Sequence, residues 1–182
     1  RLGVDTISMG QVAGFLMACA EKGKVKAEAL GLPANWGNTE TLFKLIEMTA
    51  LRQGIGDLLA EGTRRAGAKL GAEELAMNVK GLELPAYDPR GLKGQALSYA
   101  TSNRGGCHLR AFMVSAEVLS TPRYLNPNSY EEKAALVKTM QDVFAVLDSL
   151  VLCKYTTLAL FSTLAFEPDA YARLLTTATG FY

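Results

Sequence analysis

Four segments hold residues able to do chemistry. Asp148-Ser149-Leu150-Val151-Leu152-Cys153 ends in a cysteine among apolar neighbours. A single thiolate can be one corner of a metal cluster whose other ligands lie elsewhere, since iron–sulfur clusters are normally held by four cysteines. Most simply it is a small buried hydrophobe. Asn103-Arg104-Gly105-Gly106-Cys107-His108-Leu109-Arg110 sets the sole histidine beside a glycine pair. Glycines let a backbone approach a flat or phosphorylated group closely, and an imidazole exchanges a proton near neutral pH. The plainer alternatives are a turn and a surface histidine. Leu2-Gly3-Val4-Asp5 places a carboxylate just before an apolar periodic run, the position of a helix N-cap. Lys80 to Gly91, with two prolines and two glycines, is the fourth, and its plainer reading is a linker. Gly54-Ile55-Gly56 lacks the strand and the third glycine of a dinucleotide-binding turn and is set aside.

These segments need elements to hold them, and the pattern is helical almost throughout. Asp5 caps a helix from Thr6 to about Lys22, with Gly23 as its stop. Asn38 caps another to about Arg52, with Leu42, Leu45, Ile46 and Thr49 on one face. A third runs from Asp57 to Lys69, acid first and base last as the helix dipole prefers. Asn78 to Gly94 reads as an extended, turn-rich connector and a candidate domain boundary. A short helix from Leu92 to about Thr101 leads into the histidine loop. Ser129 and Glu132 have capping-box spacing, which predicts a long helix from Tyr130 to about Asp148. Apolar residues predict another over Tyr155 to Phe166, and Pro168 and Gly180 bracket the last. No alternating run is long enough to require a sheet. The fold class expected is all-α, two helical lobes joined by the Pro/Gly-rich connector, one over 1–80 and one over 81–182.

Composition narrows the function. The chain has 182 residues, 19 basic and 18 acidic, for a formal charge of +1. Such balance gives no electrostatic case for nucleic acid or a membrane surface. At 49% hydrophobic residues a real core is affordable and intrinsic disorder is excluded. Three well-separated cysteines argue against a disulfide scaffold and for a reducing cytoplasm. One histidine excludes a multi-histidine metal site built by this chain alone. The opening Arg1-Leu2-Gly3 has no signal-peptide character and reads as the inside of a longer protein. No apolar stretch reaches the ~20 residues of a membrane span.

The motifs taken together resemble the tungsten-containing aldehyde ferredoxin oxidoreductase family. Arg1 to Gly10 is similar to its Arg-Leu-Gly-Leu-Asp-Thr-Ile-Ser segment. Gly54 to Gly62, Lys80 to Gly91 and Tyr99 to His108 follow as further matches in the same order. The resemblance covers nearly the whole chain and corresponds to the family's two helical C-terminal domains. It implies a bis-pterin tungsten cofactor (or its molybdenum counterpart), with an Asp-x-x-Gly-Leu-Cys/Asp motif on each helical domain. The first copy survives as Arg1 to Asp5; the second is Asp148 to Cys153, with Val151 where the family has glycine. By this likeness Val4, Asp5, Asp148 and Leu152 contact pterin, and Cys153 is the fourth ligand of a [4Fe–4S] cluster. His108 is the active-site proton donor or acceptor, and Arg104 and Arg110 offer polar contacts to the cofactor. Cys19 reads as core and Cys107 as structural. The implied activity is aldehyde oxidation to a carboxylate, with electrons passed to ferredoxin. The implied partners are a β-rich N-terminal domain of the same protein and a second copy in a homodimer. Alternatives are a relative that reduces carboxylic acids or aromatic thioesters, and a non-catalytic helical docking domain.

Overall fold

The computed structural model describes residues 2–26, 30–155 and 168–181. The expectation of a helix over Tyr155 to Phe166 falls mostly outside the described residues. The chain is mostly helical, as expected, and divides into two compact units. One comprises residues 1–88 and 99–107; the other comprises 89–98 and 108–182. Among the described residues no helix is long and apolar enough to cross a membrane.

The first unit is built on α1 (Thr6–Glu21). The Asp5 carboxylate accepts the Ser8 amide at 2.7 Å, satisfying one of the amides a helix start leaves unpaired. At the other end Gly23 takes φ +69°. The Gly23 amide then bonds Ala20 and the Lys24 amide bonds Cys19, a Schellman ending. α2 (Thr39–Ala50) is capped by Asn38, which accepts the Thr41 amide at 3.0 Å. Met9, Val12, Leu16, Leu45 and Leu59 are buried together between these helices.

The helix expected over Asp57 to Lys69 is two helices, α3 (Ile55–Leu59) and α4 (Gly62–Leu70). The break has a tertiary cause. Gly62 has φ +82°, and a Cβ there would meet the Glu83 Oε1 at 2.8 Å. That oxygen accepts the Thr63 amide and so starts α4 from a distance of twenty residues.

The expected connector contains a hairpin, β1 (Asn78–Val79) with β2 (Leu82–Glu83), antiparallel with Asn78 opposite Glu83. Lys80 and Gly81 form its turn, both at positive φ, as a tight hairpin of this length requires. Strands this short leave no alternation to read. The loop over residues 102–106 lies flat on this hairpin. Lys80 Nζ donates to the Ser102 carbonyl at 2.7 Å, and the Gly106 amide donates to Val79 at 3.2 Å. A Cβ on Gly105 would sit 2.3 Å from the Val79 oxygen, and one on Gly106 would sit 2.7 Å from the Leu82 oxygen. The glycine pair therefore serves a close backbone approach within the protein.

The second unit holds the first turns of α5 (Lys93–Thr101) together with α6 (Val114–Glu117) and α7 (Lys133–Ser149), and it also includes α8 (Pro168–Thr179). Ala111, Met113, Ala116, Leu125 and Val137 form its core. Glu117 is buried there and caps α5 from outside: its two oxygens accept the Gly94 and Gln95 amides at 2.7 and 3.0 Å. Lys133, 3% exposed, supplies the counter-charge at 2.7 Å.

That pair also explains a shifted boundary. α7 begins at Lys133, not Tyr130. The Ser129 hydroxyl accepts the Glu131 amide, closing a local turn rather than capping a helix. Glu132 sits at φ +59°, and the helix starts at the residue drawn inward to Glu117.

Candidate functional site

Each unit carries one candidate half-site. In the first unit the N-terminal segment, the ends of α2 and α3, the start of α4 and the hairpin line an open cavity of about 420 Å³. Val4 and Asp5 both line it. Asp5 is exposed, and its Oδ2 takes the Ser8 amide, leaving Oδ1 unused by the cap. The residue is thus both a helix cap and a carboxylate on the cavity wall. Two further carboxylates, Glu61 and Glu83, and one cation, Arg52, share that wall.

Arg52 occupies the glycine-favouring position of a Schellman ending on α2, at φ +53°. Its amide bonds Thr49 and the Gln53 amide bonds Met48. Its guanidinium reaches Asp57 and Glu61, both at 2.9 Å. Glu61 also holds Arg65 at 2.7 Å. Hydrogen bonds from Arg52, then Arg65, hold the Glu61 carboxyl below the ordinary glutamate range, and those from Asp57 and Glu61 push Arg52 up. Glu61 is therefore ionised and committed to two arginines. Of the carboxylates on this wall, the exposed one with an oxygen left to meet a ligand's N–H donors is Asp5.

In the second unit α7 ends in the segment Asp148 to Cys153. The Val151 amide bonds Asp148 and the Leu152 amide bonds Leu147 at 3.0 Å, again a Schellman ending. Val151 stands at its left-handed position, φ +57°, and is 91% exposed. This is the site where the resembled motif has glycine, and the geometry supplies the reason. A left-handed backbone costs an ordinary residue roughly 1–2 kcal/mol, and a β-branched one fits it worst. Val151→Gly should therefore stabilise this unit by about 1 kcal/mol, after the extra chain entropy glycine loses on folding. A rise in the denaturant midpoint would show it; an unchanged or lower midpoint would mean the turn is not strained.

Asp148 is engaged on both oxygens, by Arg110 on Oδ2 and Lys154 on Oδ1. Lys154 also lies over the Phe144 ring, 5.4 Å from its centroid. Arg110 is thus brought to Asp148, a pairing that its place beside His108 did not reveal. Its Nε is buried and has no hydrogen-bond partner among the described residues. Leu152 and Cys153 are both exposed on the turn that follows. His108 is half-buried, its ring edge-on to Phe112 at 6.1 Å between centroids. Arg104 is exposed in the first unit.

His108 stands at the start of a segment stitched to α5. Ser98 Oγ donates to the Ala111 carbonyl at 2.8 Å, and the Met113 amide donates to Gln95 Oε1 at 3.0 Å. With the Glu117 cap, these bonds fix residues 111–117 on the helix that precedes the histidine loop.

Cys19 is fully buried in the first unit, and burial pushes its thiol up. Cys107 is buried as well, and none of the three cysteines is in a disulfide. Among the described residues no group of three or more His, Cys, Asp or Glu could hold a metal ion. The donor set is one exposed thiol at the end of α7, suited to one corner of a cluster completed by other residues. Sequence reasoning missed Ser8, Arg52 and Lys154 as parts of these half-sites, and saw Glu83 only as part of a motif. Each acts through a partner set by folding. The one local signal was Glu83 itself, a lone charge between Leu82 and Leu84.

A family model described as aldehyde ferredoxin oxidoreductase, domains 2 and 3, matches residues 1–182. The tungsten-containing aldehyde ferredoxin oxidoreductase of Pyrococcus furiosus is 46% identical over 99% of this chain and 29% of its own length. That of Thermococcus kodakarensis is 43% identical over 99% of this chain and 29% of its own. A Pyrococcus furiosus protein named aliphatic sulfonate oxidoreductase, WOR-like subunit, is 31% identical over 86% of this chain and 23% of its own. The chain thus spans less than a third of the length of the curated relatives it matches. With a match running from the first residue to the last, the chain belongs to the aldehyde ferredoxin oxidoreductase family and comprises its domains 2 and 3.

Proposed function

We propose that this chain is the helical C-terminal part of a bis-pterin tungsten (or molybdenum) oxidoreductase. The parent enzyme oxidises aldehydes to carboxylates and passes electrons through a [4Fe–4S] cluster to ferredoxin. The observation that carries the reading is Asp5, a carboxylate with one oxygen unused by its cap, on the wall of a 420 Å³ cavity.

A pterin presents ring N–H and amino groups, which a carboxylate accepts well. The first half-site fits this requirement: Val4 and Asp5 line the cavity, and Gly3 (φ +73°) puts no side chain in the way. Val4 and Asp5 would hold the first pterin. Asp148 and Leu152 would hold the second, with Arg110 and Lys154 keeping the Asp148 carboxylate in place. Arg104 would supply a further polar contact. Cys153 would be one ligand of the cluster, whose other three thiolates are not in this chain.

When bound, the metal–pterin group supplies the two-electron chemistry at the aldehyde carbon. The protein's part is to bind, orient and manage protons. Water provides the carboxylate's second oxygen, so protons leave the site as the electron pair departs. His108 would carry one of them, because imidazole is the side chain that titrates nearest neutrality. Its half-buried ring against Phe112 restricts its orientation without removing it from solvent.

In the full-length protein, His108→Ala should lower kcat for aldehyde oxidation by about 10²-fold or more while leaving the cofactor in place. Unchanged turnover with intact cofactor would remove His108 from the reaction. The sulfonate-named relative favours a second reading, in which the same scaffold serves another substrate class. Turnover of a panel of aldehydes, carboxylic acids, aromatic thioesters and alkylsulfonates separates the readings.

A further inference from the structure

We propose that Glu83 is a positioning residue for Asp5, acting through Ser8. The inference rests on the assignment of Asp5 to the pterin. Glu83 is 5% exposed, and among the described residues it has no ion pair. A buried carboxylate without a counter-charge is costly unless hydrogen bonds satisfy it. Glu83 meets that condition with three donors. Oε1 accepts the Thr63 amide at 2.8 Å and the Thr63 hydroxyl at 3.2 Å. Oε2 accepts the Ser8 hydroxyl at 2.9 Å.

Ser8 is the connecting residue. Its amide donates to Asp5 Oδ2 at 2.7 Å while its hydroxyl donates to Glu83. The first turn of α1 is thereby fixed to the hairpin and to the start of α4. Helix first turns fray unless held, because their amides lack helical partners. With Ser8 anchored at both ends, the Asp5 carboxylate keeps one rotamer, with Oδ2 on the cap and Oδ1 left for a ligand. Asp5, Ser8, Gly62 and Glu83 all line the same cavity. Gly62 belongs to the arrangement, since a side chain there would displace the Glu83 Oε1.

A Glu83 that only caps α4 would matter equally whatever stands at position 8. A positioning Glu83 would not. The experiment compares Ser8→Ala, Glu83→Gln, the double variant and Asp5→Asn in the full-length holoenzyme. The readout is the pterin retained after dilution and gel filtration, measured by the fluorescence of the released oxidised pterin. Ser8→Ala and Glu83→Gln should each speed pterin loss about tenfold, the scale of one coupled contact. Adding Glu83→Gln to Ser8→Ala should then change it less than about twofold, since coupled residues are not additive. Ser8→Ala removes only a hydroxyl and leaves the Asp5 cap intact, so it answers even where Glu83→Gln folds poorly. If Ser8→Ala holds pterin as wild type does, or Glu83→Gln acts equally in both backgrounds, the positioning role is overturned. If Asp5→Asn also holds pterin as wild type does, the assignment of Asp5 fails with it.

Discussion

Asp5→Ala in the full-length enzyme should empty the first pterin site while leaving the protein folded. Two separate quantities change. The cap is lost, and an N-cap aspartate replaced by alanine costs about 1 kcal/mol. The ligand's carboxylate partner is lost as well, and hydrogen bonds to a charged group contribute roughly 1.5–3 kcal/mol each. One or two such bonds amount to a pterin affinity lower by about 10- to 10⁴-fold. Asp5→Asn and Asp5→Ser separate the two. Both residues cap helices well, so the Ser8 amide keeps its acceptor and the melting temperature should stay close to wild type. Neither carries the charge, so both should still lose pterin. A variant that keeps the melting temperature and keeps the pterin would show that Asp5 is a cap and nothing more.

Lys133→Met should be the most destabilising single substitution in the second unit. Glu117 and Lys133 are 0% and 3% exposed, so neither charge has water to fall back on. Removing one partner of a buried pair typically costs about 3–5 kcal/mol, because the other charge stays behind uncompensated. Glu117 would retain the Gly94 and Gln95 amides, whose helix end favours a negative charge, which places the expected loss nearer 3 kcal/mol. The double variant Glu117→Gln/Lys133→Met should recover part of it, since no orphan charge remains. Denaturant titration of the 182-residue chain reads both. A Lys133→Met loss below about 1 kcal/mol would mean that water or a rearrangement reaches Glu117. His108 should feel this change too, because the Glu117 cap and the bonds of Gln95 and Ser98 fix the segment that follows it.

Several features that depend on near neighbours in the chain were legible in advance. Asp5 and Asn38 cap their helices as expected, and Gly23 and Gly180 end theirs at positive φ. These are decisions of four or five residues, which a sequence displays. The missed features depend on partners far along the chain. α4 starts at Gly62 because of Glu83, and α7 starts at Lys133 because of Glu117. The hairpin was hidden by strands two residues long, although Lys80-Gly81 was a usable turn signal.

The site divides in the same way. Resemblance proposed Val4, Asp5, Asp148, Leu152 and Cys153 as a set, and the structure shows that Val4 and Asp5 share a cavity. It could not reveal that Asp148 is held by Arg110 and Lys154, or that Arg52 stands at a strained helix end on the cavity wall. The glycine pair at 105 and 106 shows the limit from the other side. Close backbone approach was the correct reason for glycine, but the group approached is the protein's own hairpin.

The central claim is that this chain helps hold a metal–pterin group and one corner of an iron–sulfur cluster. The most direct test is metal and iron analysis, with a visible spectrum, of the full-length protein purified without oxygen. The account predicts about one tungsten or molybdenum and about four iron per chain, the iron of a single [4Fe–4S] cluster. It also predicts that Cys153→Ala lowers the iron and leaves Asp5-dependent pterin binding in place. A protein free of both metals would contradict the account and leave a helical scaffold whose cavity serves some other ligand.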